Sequence, residues 1–220
     1  MSWEQVYQQW LNEENIPENL KNELKDLNTD PEKCEDAFYA PLEFGTAGMR
    51  GILGAGINRM NIFTVRQATE GLARFMDTQD PETKRRGVAI AYDSRHMSPE
   101  FAMEAAKTLA KHDIPSFVFE SLRPTPELSF AVRYFKAFAG IMITASHNPA
   151  AYNGYKVYGE DGGQMPPADA DALTKYVRSI ENSLKIDVLS DEEVAHSGLI
   201  NIVGEEVRSE ERRVGKECRS

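Results

Sequence analysis

The sequence predicts an α/β domain with a largely parallel sheet, and three observations carry that prediction. From Leu42 onward, short β-rich runs alternate with amphipathic helical stretches, the order that builds parallel strands joined by helices. Two of the runs, Val88–Tyr92 and residues 140–143, are apolar throughout, as strands in a buried sheet are. The 220 residues, 41% of them hydrophobic, are enough to bury a core, which argues against disorder as the overall state.

Each element has a local reason. Residues 3–27 place Trp3, Val6, Tyr7, Trp10 and Leu11, then Leu20, Leu24 and Leu27, at helical spacing broken before Pro17, so two short amphipathic helices are expected. Thr29, Asp30, Pro31 and Glu32 supply a cap and a first-turn proline for a third helix, which completes a lead-in over residues 1–39. A helix over 62–76 precedes the strand Val88–Tyr92. Ser98, Pro99 and Glu100 open the next helix, whose Phe101, Ala105, Leu109 and Ala110 share a face, and the strand Ser116–Phe119 follows. Pro126 opens a helix through Leu128, Val132 and Phe135. After the strand at 140–143 come a polar loop over 144–153, a strand at 155–158, and a helix from Pro167 to about Ser183. Residues 185–207 read as a connecting helix and a strand that begins something new. Right-handed crossovers would put the loops after Tyr92 and Ile143 on one edge, at the carboxyl ends of the strands, where α/β folds place ligands.

Charge and composition exclude several classes. Lys and Arg number 25 against 35 Asp and Glu, and the net charge of −10 argues against affinity for nucleic acid or anionic membranes. No run approaches the length of a membrane span, and the start lacks the basic and apolar regions of a signal peptide, so a cytoplasmic protein is expected. Cys34 and Cys218 can form at most one disulfide and neither has metal-ligand spacing. The oligomeric state is not legible.

The most informative segment is TASHNP at 144–149, followed by YNGYK at 152–156. A serine just past a buried strand, in a loop shaped by Asn148, Pro149 and Gly154, is placed to expose its hydroxyl. If the loop doubles back onto the adjacent strand, Lys156 comes near Ser146. Serine, histidine and lysine together suit covalent group transfer, as nucleophile, polar partner and proton shuttle. The plainer alternative is a turn followed by a solvated strand lysine. No G-x-S-x-G elbow supports a serine hydrolase, and no dinucleotide or P-loop fingerprint is present.

Residues 144–156 resemble the phosphoserine loop of the α-D-phosphohexomutase family, which includes phosphoglucomutases and phosphomannomutases. EFGTAGMRG at 43–51 is similar to that family's N-terminal active-site loop, with Arg50 at its arginine position. AYDSRH at 91–96 is similar to its second strand-end motif, with Arg95. The resemblance spans residues 40–207. It implies four domains around a cleft, of which this chain would hold the three-layer α/β/α domain I over 40–184, with a mostly parallel mixed sheet. Residues 185–207 would be a linker and the start of domain II.

The resemblance also implies roles. Ser146 would carry the phosphoryl group and ligate Mg²⁺, and a hexose 1-phosphate and its 6-phosphate would interconvert through a sugar bisphosphate. Arg50 would present a planar fork to phosphate oxygens. Lys156 would act as acid or base, and His147 would orient the phosphoserine or make a purely structural hydrogen bond. Arg50, Arg95, Asn148 and Asn153 would bind phosphate, with bracing of the loop by Asp93 and Arg95 as the alternative for Arg95. The glycines at 45, 48, 51 and 54 would permit tight turns beside the ligand.

The departures are informative. Neither an Asp-Gly-Asp-Gly-Asp type metal loop nor a Gly-Glu-x-Ser type sugar loop is found, and Asp161-Gly162-Gly163 is too short for the former. The chain alone is therefore expected to be inactive. The lead-in and the wording of the glycine loop favour the phosphoglucomutase and phosphopentomutase branch over phosphomannomutases, and a non-catalytic phosphosugar-binding module is the remaining alternative. The last stretch, RSEERRVGKECRS at 208–220, lacks apolar periodicity, is markedly basic, and resembles the in-frame translation of a short-read sequencing adapter.

Overall fold

A computed structural model describes residues 1–45 and 48–217, with side chains through Arg212 apart from those two gap residues. Thr46 and Ala47 of the glycine loop, and Cys218 with the final two residues, lie outside the described part. The elements are α1 (Trp3–Leu11), α2 (Glu18–Leu27), α3 (Pro31–Phe38), β1 (Met49–Ile52), α4 (Ile62–Asp77), α5 (Pro81–Arg86), β2 (Val88–Tyr92), α6 (Ser98–Lys111), β3 (Ser116–Phe119), α7 (Thr125–Tyr134), β4 (Ala139–Ile143) and β5 (Tyr152–Tyr158). They continue with α8 (Pro167–Arg178), a 3₁₀ turn (Ser183–Lys185), α9 (Asp191–Ser197), β6 (Ile200–Val203) and α10 (Glu205–Glu217).

The six strands form one mixed sheet in the order β1-β5-β4-β2-β3-β6. β2 lies parallel to β3 and β4, and β3 parallel to β6, whereas β5 runs antiparallel to both β4 and β1. Helices α4, α6 and α8 pack on one face and α7 and α10 on the other, giving three layers. Along β2 the pleat sends Val88 and Ile90 into the first core and Ala89 and Ala91 into the second. Burying an Ile or Val completely contributes about 1.5–3 kcal/mol, so the central strands hold the domain and fix where their carboxyl ends lie.

The lead-in helices form a third cluster that docks on the sheet domain. Trp10 meets Phe38 of α3 edge-on at 5.7 Å and Phe63 of α4 at 5.2 Å. Asp30 caps α3 by accepting from Lys33 N, with Pro31 in the first turn, as expected.

Several boundaries differ from the sequence reading, two of them because of long-range strand pairing. β5 begins at Tyr152 because residues 152–155 pair with β1, a strand hidden within the glycine loop. α8 ends at Arg178, after which Ile180 is buried beneath the turn. α5 is an extra turn of helix, capped by Asp80. Residues 200–203 form β6, which pairs with β3 and covers its edge, and Val203 and Val207 enter the second core. Among the described residues no helix is long and apolar enough to cross a membrane.

Candidate functional site

Because β2 and β4 are parallel neighbours, the loops that leave them emerge side by side, and Asp93 N donates to Ile143 O at 3.1 Å to tie the two exits together. Beyond β4 the chain turns through Thr144 and Ala145 and presents Ser146 to solvent. Ser146 sits at φ 58°, in the left-handed region, which costs a residue with a Cβ about 1–2 kcal/mol. Both of its main-chain groups are held: its N–H donates to Thr144 Oγ1 at 2.9 Å, and its carbonyl accepts from Arg95 Nη2 at 2.9 Å.

Arg95 does more than that. Its Nη2 also donates to Asn148 O at 2.6 Å, and its Nη1 donates to Pro149 O and Tyr152 O, both at 2.9 Å. The guanidinium is therefore spent on four carbonyls of the serine loop. Its side chain is only 12% exposed, with Asp93 Oδ2 at 3.6 Å from Nε. Of the two roles anticipated for Arg95, this is the bracing geometry and not a fork open to phosphate.

Asn153, expected on phosphate, requires a correction. It is fully buried; its Nδ2 donates to His96 O and Ser98 Oγ, each at 2.9 Å, and its Oδ1 accepts from Gly154 N at 2.7 Å. An amide so committed, below the surface, ties β5 to the start of α6 and cannot reach a ligand. Asn148 stays half-buried at the surface and accepts at Oδ1 from Arg50 Nη1 at 3.4 Å. Arg50 is exposed on β1 opposite Gly154, so it and Lys156 stand on the same face of the sheet, two positions apart along β5, or about 7 Å.

Lys156 is half-buried opposite Met142 of β4, four positions before Ser146 in sequence. The loop does double back, but among the described residues the Lys156 side chain makes no ion pair or hydrogen bond, to Ser146 or to any other group. His147 is exposed beside the serine. Gly48 approaches this strand so closely that a Cβ on it would lie 2.0 Å from Tyr155 O, and its φ of 93° favours glycine as well.

Sequence reasoning named Asp93 beside Arg95 as a brace of the loop but missed Ser98, read only as a helix start, which joins them. Asp93 Oδ1 accepts from Arg95 N at 3.0 Å and from Ser98 Oγ at 3.1 Å, making an Asx turn that aims Arg95 at the loop. For Mg²⁺ the donor set is incomplete: among the described residues no three His, Cys, Asp or Glu side chains come together to hold a metal, so these residues do not fit the ion by themselves.

Similarity to known proteins follows the same outline. The family described as phosphoglucomutase/phosphomannomutase, alpha/beta/alpha domain I, matches residues 41–184. A phosphoglucomutase of Staphylococcus saprophyticus is 40% identical over 198 residues, covering 90% of this chain and 35% of the relative. One from Staphylococcus epidermidis is 44% identical over 183 residues, covering 83% of this chain and 33% of the relative. The chain thus spans about a third of the length of the curated relatives it matches. Among solved structures, one described as a putative phosphomannomutase, from Thermus thermophilus, aligns with a TM-score of 0.58 at 31% identity over 70% of this chain and 34% of that one. The Paramecium phosphoprotein pp63/parafusin, at 18% identity and a TM-score of 0.54 over 76% of this chain and 33% of that one, shares the fold.

Proposed function

The chain belongs to the phosphoglucomutase/phosphomannomutase family through that family's domain I, and from this premise we propose that the protein interconverts hexose 1-phosphate and hexose 6-phosphate through a phosphoserine at Ser146. Glucose is the proposed hexose, in keeping with the names of the staphylococcal relatives. The observation that carries the reading is the exposed Ser146 at the carboxyl end of β4, in a turn pinned on both its main-chain groups, with Arg50 and Asn148 beside it.

The chemistry is a balanced pair of transfers. A free sugar hydroxyl attacks the phosphoserine phosphorus; the new P–O bond takes an oxygen lone pair, the P–Oγ bond breaks, and its electrons stay on Ser146 Oγ. The hydroxyl proton passes to a base and a proton returns to Oγ, work proposed for Lys156, with His147 as orienting partner. The bisphosphorylated sugar then turns over, and its other phosphoryl group passes to Oγ by the reverse path. Such a transfer depends on positioning and on cations around the nonbridging oxygens. Arg50 is the proposed fork for those oxygens, with Asn148 beside it. Mg²⁺ belongs to this proposal only for the longer protein, with carboxylate ligands from outside this chain. The setting is proposed to be cytoplasmic, with a small phosphosugar as partner and neither nucleic acid nor membrane involved.

The test is direct. Full-length protein incubated with glucose 1,6-bisphosphate labelled in its phosphates should carry label on the peptide containing Ser146, and should convert glucose 1-phosphate to glucose 6-phosphate. Absence of label there would overturn the reading. Parallel assays with mannose and ribose 1-phosphates read the sugar preference.

A further inference from the structure

We infer that Arg95 is a positioning residue for Ser146, acting through the main chain of the serine loop and not as a ligand of the phosphate. The role in catalysis rests on the mutase reading above; the mechanical role stands without it. Four carbonyls, those of Ser146, Asn148, Pro149 and Tyr152, converge on one guanidinium at 2.6–2.9 Å. A planar group with five donors can span them; an ammonium, with three donors about one point, cannot.

Two consequences follow from that geometry. The first is conformational. Ser146 lies in a left-handed conformation that a serine enters only under constraint. Its carbonyl is gripped by Arg95 and its amide by Thr144, so the turn cannot relax by peptide rotation. Asp93 and Ser98 fix the grip from below, since Asp93 Oδ1 accepts from both Arg95 N and Ser98 Oγ. Asn153, bonded to Ser98 Oγ and His96 O, locks the far end of the loop to the same platform.

The second consequence is electrostatic. Carbonyl oxygens turned toward an incoming phosphoryl group would repel it. Arg95 draws four of them to itself and places its positive charge beneath the loop. The nucleophile is thereby held without the guanidinium touching the substrate.

The experiment compares wild type, Arg95→Ala and Arg95→Lys by amide hydrogen exchange in the 220-residue chain. The amides of Ser146, Asn148 and Tyr152 are the reporters, because each is hydrogen-bonded within the loop. Both variants should speed their exchange by about tenfold or more while amides of β2 and β4 keep wild-type protection. Millimolar guanidinium should restore protection to Arg95→Ala and not to Arg95→Lys, whose side chain still fills the space. Should Arg95→Ala lose protection everywhere, Arg95→Lys alone decides. Loop exchange unchanged in Arg95→Lys overturns the proposal.

In the full-length protein the positioning role lowers kcat and leaves KM for glucose 1-phosphate within about twofold, whereas a phosphate ligand would raise KM. A full-length wild type that takes no label on Ser146 defeats the mutase reading, and the exchange result still decides what Arg95 does to the loop.

Discussion

At the carboxyl edge of the sheet Arg95 spreads one guanidinium over four main-chain carbonyls, whereas at the amino edge His112 stretches an imidazole between two carboxylates. His112 follows α6, with Nε2 at 2.8 Å from Glu70 Oε2 and Nδ1 at 2.8 Å from Asp77 Oδ2, both carboxylates on α4. The first contact fixes backbone and the second fixes helix against helix. They also differ in what can switch them off. The guanidinium keeps its charge at every working pH. The His112 pKa is raised, first by its hydrogen bond to Glu70 and with Asp77 adding to this against its own burial. The loop that presents Ser146 is built on the untitratable group.

Four measurements break or sharpen that contrast. The largest effect is expected from Ser146→Ala in the full-length protein, which should abolish label transfer from the sugar bisphosphate while melting like wild type; residual label on the same peptide would sink the assignment. Next comes Arg95→Ala, which leaves four carbonyls without their donor: exchange of the loop amides, corrected for its intrinsic pH dependence, should rise about tenfold or more, equally at pH 6 and pH 8. A rise that changes between those pH values would show that the clamp is not the guanidinium alone.

His112→Gln should be smaller and should depend on pH. A raised folded-state pKa means that the stabilisation is complete below the unfolded value near 6.5 and is lost as pH rises through the folded value. Glu70 is lowered, chiefly by its hydrogen bond to His112. Asp77 is pushed up by burial but ends lowered, because hydrogen bonds from Lys84 and His112 outweigh it. Their contributions are present above their unfolded values and fade in acid. The bridge is therefore strongest between about pH 4.5 and 6.5. Urea titrations should show His112→Gln losing about 1 kcal/mol at pH 6 and clearly less at pH 8; equal losses would refute the linkage. Smallest of all is Arg85→Ala, which removes a surface pair with Glu82 whose side chains are 75% and 76% exposed, and which should shift stability by less than about 0.5 kcal/mol. A larger shift would mean that charge pairing alone, without burial, can do what the Arg95 clamp does.

Legibility varied with the range of the interactions. Val88–Tyr92, Ser116–Phe119 and the α6 start at Ser98 were readable because apolar periodicity and capping are local. β1 was not, since four residues in a glycine-rich loop become a strand only when β5 supplies the partner. Asn153 looked like a ligand because its neighbours in sequence are site residues, yet the pleat turns it inward, onto Ser98 and His96. Arg95 was found as a site residue, but its target lay more than fifty positions away in sequence.

The sequence by itself determined the alternation of strands and helices, the two buried central strands, the place of the serine loop at a carboxyl edge, and the family. These follow from local periodicity and from a contiguous string of residues. Only the tertiary structure decided that β6 closes the sheet, that Asn153 is a buried tie, and that Arg95 grips the loop from beneath. Each depends on which groups of sequence-distant segments are brought within hydrogen-bond distance, and that distance is set by packing and not by neighbours along the chain.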